Sequence, residues 1–314
     1  MRRTKATTPR PGDPLSMDAM THVSPHTAHG QEHDADGQAE LLDLDAEVLA
    51  EHNSAIAAWL PVRTTVRHIV DLGCGTGAGT LTLLKHFPQA RVTAVDASTG
   101  HLRRLLDKAE AEGLADRVHT VRADLDTAWP ELGTPELVWA SASMHHMADP
   151  DRTLRRIHDT LAPGGLLALV ELAGFPRFLP EDAPADRPGL EERCHAALDH
   201  HHAELLPHRG ADWGPELTAA GFTVESERTI TVDLGPSRTD AVGRYALGSL
   251  RRMRGGVAAT ATTLTAEDLA ALDRLLDTDS AHSILRRDDL TVRTERMVWA
   301  ARRGRTRRGP GERL

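Results

Sequence analysis

Three glycines stand where an apolar strand-like run meets a helix, and this stretch could bind a ligand. Residues 68–79 contain the apolar run followed by Gly73, Gly75 and Gly77. Glycine lets the chain turn tightly and lets a ligand approach the backbone without a clash with Cβ. The helix expected from Thr80 would present free N–H groups, which favour a polar or anionic ligand group. The spacing therefore predicts a ligand-binding turn.

Side chains that could exchange a proton or accept a hydrogen bond follow the other strand-like runs. Asp96 ends the second run, where its carboxylate could accept hydrogen bonds from ligand hydroxyl groups. His145 and His146 follow the fourth run, and Glu171 ends the fifth. Histidine and glutamate often act as general bases. Because parallel strands end at one edge of a sheet, we expect these residues to face one crevice.

The elements that would position these residues alternate between apolar strands and helices. Five strand-like runs occur at residues 68–72, 91–97, 118–122, 136–141 and 166–172, and helical patterns follow the first, the second and the fourth. Two further strands are expected at residues 221–232 and 290–301. This alternation predicts an α/β fold with a doubly wound, mostly parallel, seven-stranded Rossmann-like sheet and helical cap insertions.

Composition and charge exclude several classes of protein. The chain has 314 residues, is 40% hydrophobic and carries a net charge of -9, which argues against a nucleic-acid-binding face. Cys74 and Cys194 are the two cysteines, so no disulfide framework is implied and a reducing cytoplasm fits. No stretch approaches the roughly 18 uninterrupted apolar residues that a membrane span needs. We therefore expect a cytoplasmic protein without a membrane partner.

The chain divides into one large domain with two irregular ends. Residues 1–38 are polar and lack periodicity, which predicts a disordered leader. Residues 39–302 would form the domain, and residues 303–314 a disordered Arg-rich tail. Insertions as long as those expected here are more often functional than idle. The predicted cap segments are residues 40–60, 174–210 and 238–288.

Four motifs, taken in order, resemble one protein family. They are Asp71-Leu-Gly-Cys-Gly-Thr-Gly77, Asp96 after the second strand, Asp124 after the third, and Leu161-Ala-Pro-Gly-Gly165 before the fifth. In this order they resemble the class I S-adenosylmethionine-dependent methyltransferases, in particular the branch that methylates small molecules and carries a His-His pair after the fourth strand. The resemblance covers residues 60–172 well and the rest weakly.

The resemblance implies S-adenosylmethionine as the cofactor and gives several residues a binding role. Asp71 would orient the turn and reach toward the cofactor's amino group, and Asp96 would accept hydrogen bonds from the ribose hydroxyls. Polar Asp124 beside apolar Leu125 would suit the edge and the face of the adenine. The complete predicted cofactor-binding set is Asp71, Gly73, Cys74, Gly75, Gly77, Asp96, Ala97, Asp124, Leu125, Ser141 and His146.

The implied reaction moves a methyl group to an O, N or C atom of a small organic molecule such as a natural-product intermediate. His145 is the candidate catalytic base, with a hydrogen-bonding or packing role as its alternative. Trp59, Glu171 and Tyr245 are predicted to contact the acceptor. The cap would exclude water and enclose a small acceptor, although the insertions could instead form a homodimer contact.

Two other functions fit part of the same pattern. Gly73, Gly75 and Ala78, with an acid about 20 residues beyond the second glycine, also satisfy the looser fingerprint of NAD(P)-dependent oxidoreductases. A non-catalytic module that binds S-adenosylmethionine is the second alternative, because methyl transfer needs few obligatory side chains.

A stripe of potential metal ligands occurs at helical spacing further along the chain. Its members are Glu191, His195, Asp199 and His202. Such residues can bind zinc or a harder cation, but a polar helix face exposed to solvent explains them more simply. No metal is therefore predicted.

Overall fold

A seven-stranded sheet forms the centre of the described part of the chain. The computed structural model describes residues 25–237, 239–259 and 264–304. The predicted leader up to residue 24 and the predicted tail beyond residue 304 lie outside these ranges.

An α-helix follows each of the first, second and fourth strands, whereas the third strand leads to the fourth without one. The strands are β1 (His68–Leu72), β2 (Arg91–Asp96), β3 (Val118–Arg122), β4 (Leu137–Ser141), β5 (Leu166–Leu172), β6 (Phe222–Ser237) and β7 (Leu290–Arg303). The helices of the described ranges are α1 (Pro25–Val48), α2 (Ala50–Trp59), α3 (Ala78–His86), α4 (Thr99–Ala111), α5 (Pro150–Thr160), α6 (Leu190–Leu205), α7 (Gly214–Ala219), α8 (Asp240–Ala259) and α9 (Ala266–Leu276).

The sheet has the order β3-β2-β1-β4-β5-β7-β6. Strands β1 to β5 pair in parallel, whereas β7 pairs antiparallel with both β5 and β6. The prediction of a doubly wound, mostly parallel, seven-stranded sheet is confirmed. The strand order reverses between β1 and β4, and open α/β sheets bind ligands in the crevice beyond the carboxyl ends of the strands at such a point.

Both faces of the sheet are covered by apolar packing. Neighbouring residues Ile69 and Val70 are each 0% exposed and belong to the two cores on opposite faces. Trp139 packs into the first core and Trp299 into the second. A strand that is buried on both faces requires a continuous apolar run, which is the pattern that identifies β1, β4 and β5 in the sequence.

Helix α1 starts earlier than its sequence pattern indicates. The helix begins at Pro25, so the prediction of an irregular segment up to residue 38 is wrong for residues 25–38. The buried side chains Ala39 and Leu44 anchor the second half of the helix. Once a packed turn exists, each further helical residue is cheap to add even where the composition is polar.

The predicted cap segments pack on one another around α8. Helix α8 contacts α1, α6 and α9. The approach is close, since a Cβ on Gly248 would lie 2.7 Å from Leu41 of α1, and one on Gly256 would lie 3.3 Å from Leu198 of α6. The three segments therefore form one helical layer. No helix within the described ranges has the length and apolar character needed to traverse a bilayer.

Candidate functional site

The glycine-rich turn packs closely between β2 and the segment after β4. The Gly73 N–H donates a 2.8 Å hydrogen bond to the Val95 carbonyl. Gly73 has a φ of +69°, and a Cβ there would lie 2.6 Å from the Ser143 Cβ. Gly77 has a φ of +95°, and a Cβ there would collide with Leu105. Glycine tolerates both the positive φ and the close approach of neighbouring atoms. The turn can therefore place the first N–H groups of α3 at the crevice.

Asp71 anchors α3 instead of facing the crevice. Its carboxylate is buried and accepts a 2.6 Å hydrogen bond from the Thr80 hydroxyl. Burial raises the pKa of Asp71 to about 7, although the Thr80 hydrogen bond acts in the opposite direction. The predicted orienting role agrees with this contact. The predicted reach toward the cofactor's amino group does not, because the carboxylate is 2% exposed.

Asp96 is an ionised carboxylate at the mouth of the crevice. It accepts hydrogen bonds from Gly75 N at 2.9 Å, Ser98 N at 2.8 Å and His101 Nδ1 at 3.3 Å. Burial acts to raise the pKa of Asp96, but these hydrogen bonds outweigh it and hold the pKa below its ordinary value. A carboxylate has about four acceptor positions, so capacity for a ligand hydroxyl remains.

The two residues predicted to bracket an adenine follow β3, at the same edge of the sheet as the predicted cofactor contact Ala97 after β2. Asp124 is exposed and its Oδ1 accepts the Asp126 N–H at 3.0 Å, whereas Leu125 is 6% exposed. Ala97 is exposed and its carbonyl accepts a hydrogen bond from Arg122. An exposed polar group next to a buried apolar side chain is the combination that the resemblance calls for.

His145 and Glu171 form a buried pair at the carboxyl edge. His145 Nδ1 lies 2.5 Å from Glu171 Oε2, and the two side chains are 3% and 1% exposed. Glu171 Oε1 accepts the backbone N–H groups of Ser143 and Met144 at 3.2 and 2.8 Å. With a carboxylate facing Nδ1, the imidazole proton belongs on Nδ1 and the lone pair on Nε2. Nε2 has no hydrogen-bond partner among the described residues.

The segment between β4 and His145 is held in an unusual backbone conformation. Ala142 has a φ of +50°, which non-glycine residues rarely adopt, and such outliers cluster at functional sites. Ser141, half-buried, ends β4 just before it, and the exposed His146 has its ring centroid 4.2 Å from that of His145. Partial burial lowers the pKa of His146, and the neighbouring His145 and Arg252 act in the same direction.

Two of the predicted acceptor contacts have structural partners instead. Glu171 is buried and bonded to His145, so it can act on an acceptor only through that histidine. Tyr245 is 5% exposed, and its hydroxyl donates a 2.6 Å hydrogen bond to Asp45. Asp45 also accepts from Arg296 at 2.8 Å, so this network ties α1 to α8 and β7. Burial raises the pKa of Tyr245, which keeps the phenol protonated.

The third predicted acceptor contact, Trp59, lies away from the crevice. Pro61, two residues later, accepts a hydrogen bond from Arg302, which pairs with Leu166 at the start of β5. The end of α2 therefore lies at the amino edge, opposite His145. Arg228 of β6 stacks on the Trp59 ring at 5.4 Å. The prediction was wrong because helical periodicity indicates which face of a helix is buried, but it does not indicate at which edge of the sheet the helix ends.

Helix α1 contributes contacts to the glycine turn that sequence reasoning missed. A Cβ on Gly75 would lie 3.3 Å from Leu42 Cδ1. Asp43 fixes the helix in this place through a 2.7 Å ion pair with Lys108 of α4. His101 and Ser143 were missed as well. The one signal for His101 was its position three residues after Ser98, in the first turn of a helix that follows an acid.

The stripe of potential metal ligands on α6 faces inward. Glu191 and His195 are each 5% exposed, so the expected solvent-exposed face is wrong for these two residues. Glu191 accepts the N–H groups of Phe178 and Leu179, which fixes the loop after β5. No group of three His, Cys, Asp or Glu side chains within the described ranges could hold a metal ion.

Cys74, in the glycine turn, is buried, and burial raises the pKa of its thiol.

Two cavities lie outside this crevice. The larger, about 500 Å³, is lined by residues of the loop at Pro184, of α9 and of the segment around Ser283. The smaller, about 60 Å³, lies beside Val62 and Gly165 at the amino edge of the sheet. Neither contains residues of the glycine turn or of the His145–Glu171 pair. Chemistry and strand topology, not cavity size, therefore locate the candidate site.

Comparison with known proteins identifies the part of the chain that forms this crevice. A family model described as a methyltransferase domain matches residues 69–165. Trans-aconitate 2-methyltransferase of Paracidovorax citrulli is 37% identical over 103 residues, which cover 32% of this chain and 37% of the relative. The 27-O-demethylrifamycin SV methyltransferase of Amycolatopsis mediterranei is 29% identical over 191 residues, covering 60% of this chain and 66% of the relative.

The fold extends the similarity beyond that matched segment. The crystal structure of a Bacillus halodurans protein assigned as a methyltransferase superposes with a TM-score of 0.50 at 17% identity, covering 80% of this chain and 98% of the other. This similarity concerns the fold alone. The chain spans little more than a third of the length of its trans-aconitate relatives.

Proposed function

Because the chain belongs, through residues 69–165, to the class I S-adenosylmethionine-dependent methyltransferases, we propose that it moves a methyl group from that cofactor to a small organic molecule. The observation that carries the proposal is the position of His145. The preceding Ser143 packs against Gly73 of the turn, and Glu171 fixes the His145 ring at the same edge. One crevice thus holds a cofactor-binding turn and a proton acceptor.

The described residues fit the cofactor. Asp96 would accept hydrogen bonds from the ribose hydroxyls, and Asp124 with Leu125 would accommodate the adenine. The turn from Gly73 to Gly77 would hold the methionine portion against its backbone, since its glycines leave no side chains there. When bound, the sulfonium group supplies an activated methyl carbon. The protein then has to orient the acceptor, which can contribute about 7–11 kcal/mol to a rate enhancement.

His145 would remove the proton that the acceptor loses. Glu171 accepts the Nδ1 proton and leaves the Nε2 lone pair free for the acceptor hydroxyl or amine. When His145 takes up that proton, the neighbouring carboxylate stabilises the imidazolium. Glu171 is thus a positioning residue, and the pair favours an acceptor that is methylated on oxygen or nitrogen over one methylated on carbon.

The helical layer supports a small acceptor such as a natural-product intermediate. Leu42 of α1 approaches the glycine turn, and Tyr245 locks α1 to α8 through Asp45. A layer over the crevice excludes water and limits the size of the molecule that enters. Two of the relatives are named for small-molecule acceptors, trans-aconitate and 27-O-demethylrifamycin SV. We also propose a reducing, cytoplasmic location, because both cysteines are free.

The two other functions that fit part of the sequence pattern have less support. An NAD(P)-dependent oxidoreductase is disfavoured by the methyltransferase match over the glycine turn and the first four strands. A non-catalytic module that binds the cofactor would need Glu171 to hold the backbone of Ser143 and Met144, but it would not need a histidine at position 145.

The proposal is tested with methyl-labelled S-adenosylmethionine and a panel of hydroxylated organic acids and amines, with label transfer as the readout. We expect transfer by the wild-type protein and a loss of kcat of about a hundredfold in His145→Gln, with unchanged cofactor affinity. Glu171→Gln should lower kcat less and shift its pH profile, because the ring keeps a partner but loses the negative charge. The exposed His119→Gln is the matched control. Full transfer by His145→Gln would remove the catalytic role.

A further inference from the structure

A cluster of aromatic and cationic side chains surrounds Phe175, in the loop that follows β5. The Arg209 guanidinium stacks on the Phe175 ring with its carbon 3.9 Å from the ring centroid. Two rings of α6 also face Phe175, with centroid distances of 4.5 Å for His202 and 6.4 Å for His195. These four residues are called the Phe175 cluster below.

The Phe175 cluster contains buried polar atoms that have no partner. Arg209 Nη1, His202 Nδ1 and His195 Nε2 are all shielded from solvent and make no hydrogen bond within the described ranges. His195 is 5% exposed, and burial lowers its pKa to about 4, so its ring is neutral near pH 7. Unpaired buried polar atoms are costly and rare in folded proteins. Because the side chains that carry these atoms surround one aromatic ring, a single ligand bound there could supply the missing hydrogen-bond partners.

The cluster lies next to the His145–Glu171 pair. Gly210, adjacent to Arg209, donates a 3.1 Å hydrogen bond to the carbonyl of Leu172, the residue that follows Glu171. On the other side, the tilted rings of His146 and His145 lie 4.2 Å apart between centroids. Burial lowers the pKa of both His146 and His202, and the charge of Arg252 on α8 acts in the same direction. The cluster and the proposed base thus share the carboxyl edge of β5.

The charge around the cluster is positive. Arg209 and Arg252 have neither a hydrogen bond to a carboxylate nor an ion pair within the described residues. Arg177, which also influences His195, is neutralised by Glu192 at 2.8 Å. Asp199 is exposed and acts on Arg209 and His202 only at a distance. Burial lowers the pKa of Arg209, but a guanidinium remains charged at any physiological pH.

We propose that the Phe175 cluster binds a carboxylate group of the acceptor, so that the protein methylates small organic acids. Arg209 presents a planar fork that can pair with both oxygens of a carboxylate, and its stacking on Phe175 holds that fork in place. His202 and Arg252 add donors or positive charge around the same group. This inference rests on the proposed function, because it identifies the acceptor of that reaction. It predicts that neutral isosteres are poor acceptors.

Direct binding tests the inference without turnover. Benzoate, 4-hydroxybenzoate and succinate are titrated by calorimetry into the full chain saturated with S-adenosylhomocysteine, and each acid is compared with its amide. At least one acid should bind about tenfold more tightly than its amide in the wild-type protein. Arg209→Gln should abolish that preference, and the exposed Arg155→Gln of α5 should retain it. Arg209→Lys should keep part of it, because the charge remains and the fork is lost.

The outcomes separate this inference from the proposed function. Equal binding of acids and amides, no binding of any acid at millimolar concentration, or an unchanged preference in Arg209→Gln would each overturn the carboxylate site. Cofactor affinity, measured separately, should be the same in Arg209→Gln and wild type. If acids bind in an Arg209-dependent way but no panel member is methylated, the carboxylate site stands and the methyltransferase activity falls.

Discussion

Two aspartates near the carboxyl ends of neighbouring strands, Asp71 in β1 and Asp96 in β2, have different roles. Asp71 and Asp96 both lie at the carboxyl edge, but Asp71 is buried against Thr80 whereas Asp96 reaches the mouth of the crevice. The contrast appears in their pKa values, because burial raises that of Asp71 to about 7 and hydrogen bonds lower that of Asp96. One carboxylate therefore holds the turn, and the other remains charged for a ligand.

The raised pKa of Asp71 has a measurable effect on stability. An acid whose pKa is higher in the folded than in the unfolded state contributes stability that is fully present below about pH 4, the unfolded value. That contribution is lost as the pH rises through about 7. Asp71→Asn keeps an acceptor for Thr80 but cannot ionise.

We therefore expect the unfolding free energy of wild type, measured with urea, to fall relative to that of Asp71→Asn between pH 4 and pH 7. Glu191 titrates in the same range in both proteins, so the difference isolates Asp71. The exposed Asp107→Asn should parallel wild type. Parallel curves for wild type and Asp71→Asn would contradict the assignment.

At the residue scale, the sequence predicts the site where chemistry follows a strand. Gly73, Asp96 and His145 were located this way, because strand ends share one edge of a parallel sheet. Tyr245 and Trp59 were placed by residue type alone, and packing decided their partners. Arg209 escaped notice because its loop carries no periodic pattern, and only the fold brings it to Phe175.

At the scale of elements, local patterns predict the strands and helices but not all of their partners. The runs of β1, β4 and β5 are mostly apolar, which predicts burial on both faces, whereas the edge strand β3 has polar residues and is only partly buried. Nothing in the sequence places β7 between β5 and β6, since antiparallel insertion depends on contacts distant in the chain. The sequence does not show where α1 packs either, because ion pairs with α4 and α8, which are distant in the chain, fix the position of this helix.

Asp268 connects several elements of the helical layer, and its loss should affect stability. It caps α9 through Thr265 and accepts hydrogen bonds from Arg187 and Arg193, both at 2.7 Å, which joins α9 to the loop before α6 and to α6. The hydrogen bond from Arg193 leads the causes that hold the pKa of Asp268 well below its ordinary value. The stability that Asp268 contributes is therefore present above about pH 4 and lost as the pH falls further.

Removing this carboxylate should weaken the helical layer. We expect Asp268→Ala to lower the unfolding free energy at pH 7 by about 1.5–3 kcal/mol, which is the range for one hydrogen bond to a charged group. The loss should not exceed that range, although two arginines lose their partner, because both arginines are partly exposed and solvent can replace the contacts. Asp268→Asn should lose less because it retains the helix cap. Thermal and urea unfolding would report the change. An Asp268→Ala protein as stable as wild type would show that the arginines find other partners.

At the scale of the whole molecule, the described ranges form one sheet, one crevice at its carboxyl edge and one helical layer. The crevice lies where the strand order reverses between β1 and β4. The glycine turn, Asp96 and the His145–Glu171 pair meet at its edge, and α1 approaches the turn through Leu42. Every proposal about the acceptor depends on the crevice binding S-adenosylmethionine.

Calorimetric titration of the full chain with S-adenosylmethionine, S-adenosylhomocysteine, NAD and NADP tests that claim most directly. We predict that both sulfur compounds bind with one site per chain and that neither dinucleotide binds. Asp96→Asn should weaken S-adenosylmethionine binding about tenfold to a hundredfold, because it loses charge-assisted hydrogen bonds to the ribose. Binding of a dinucleotide that depends on Asp96, with no binding of S-adenosylmethionine, would contradict the account.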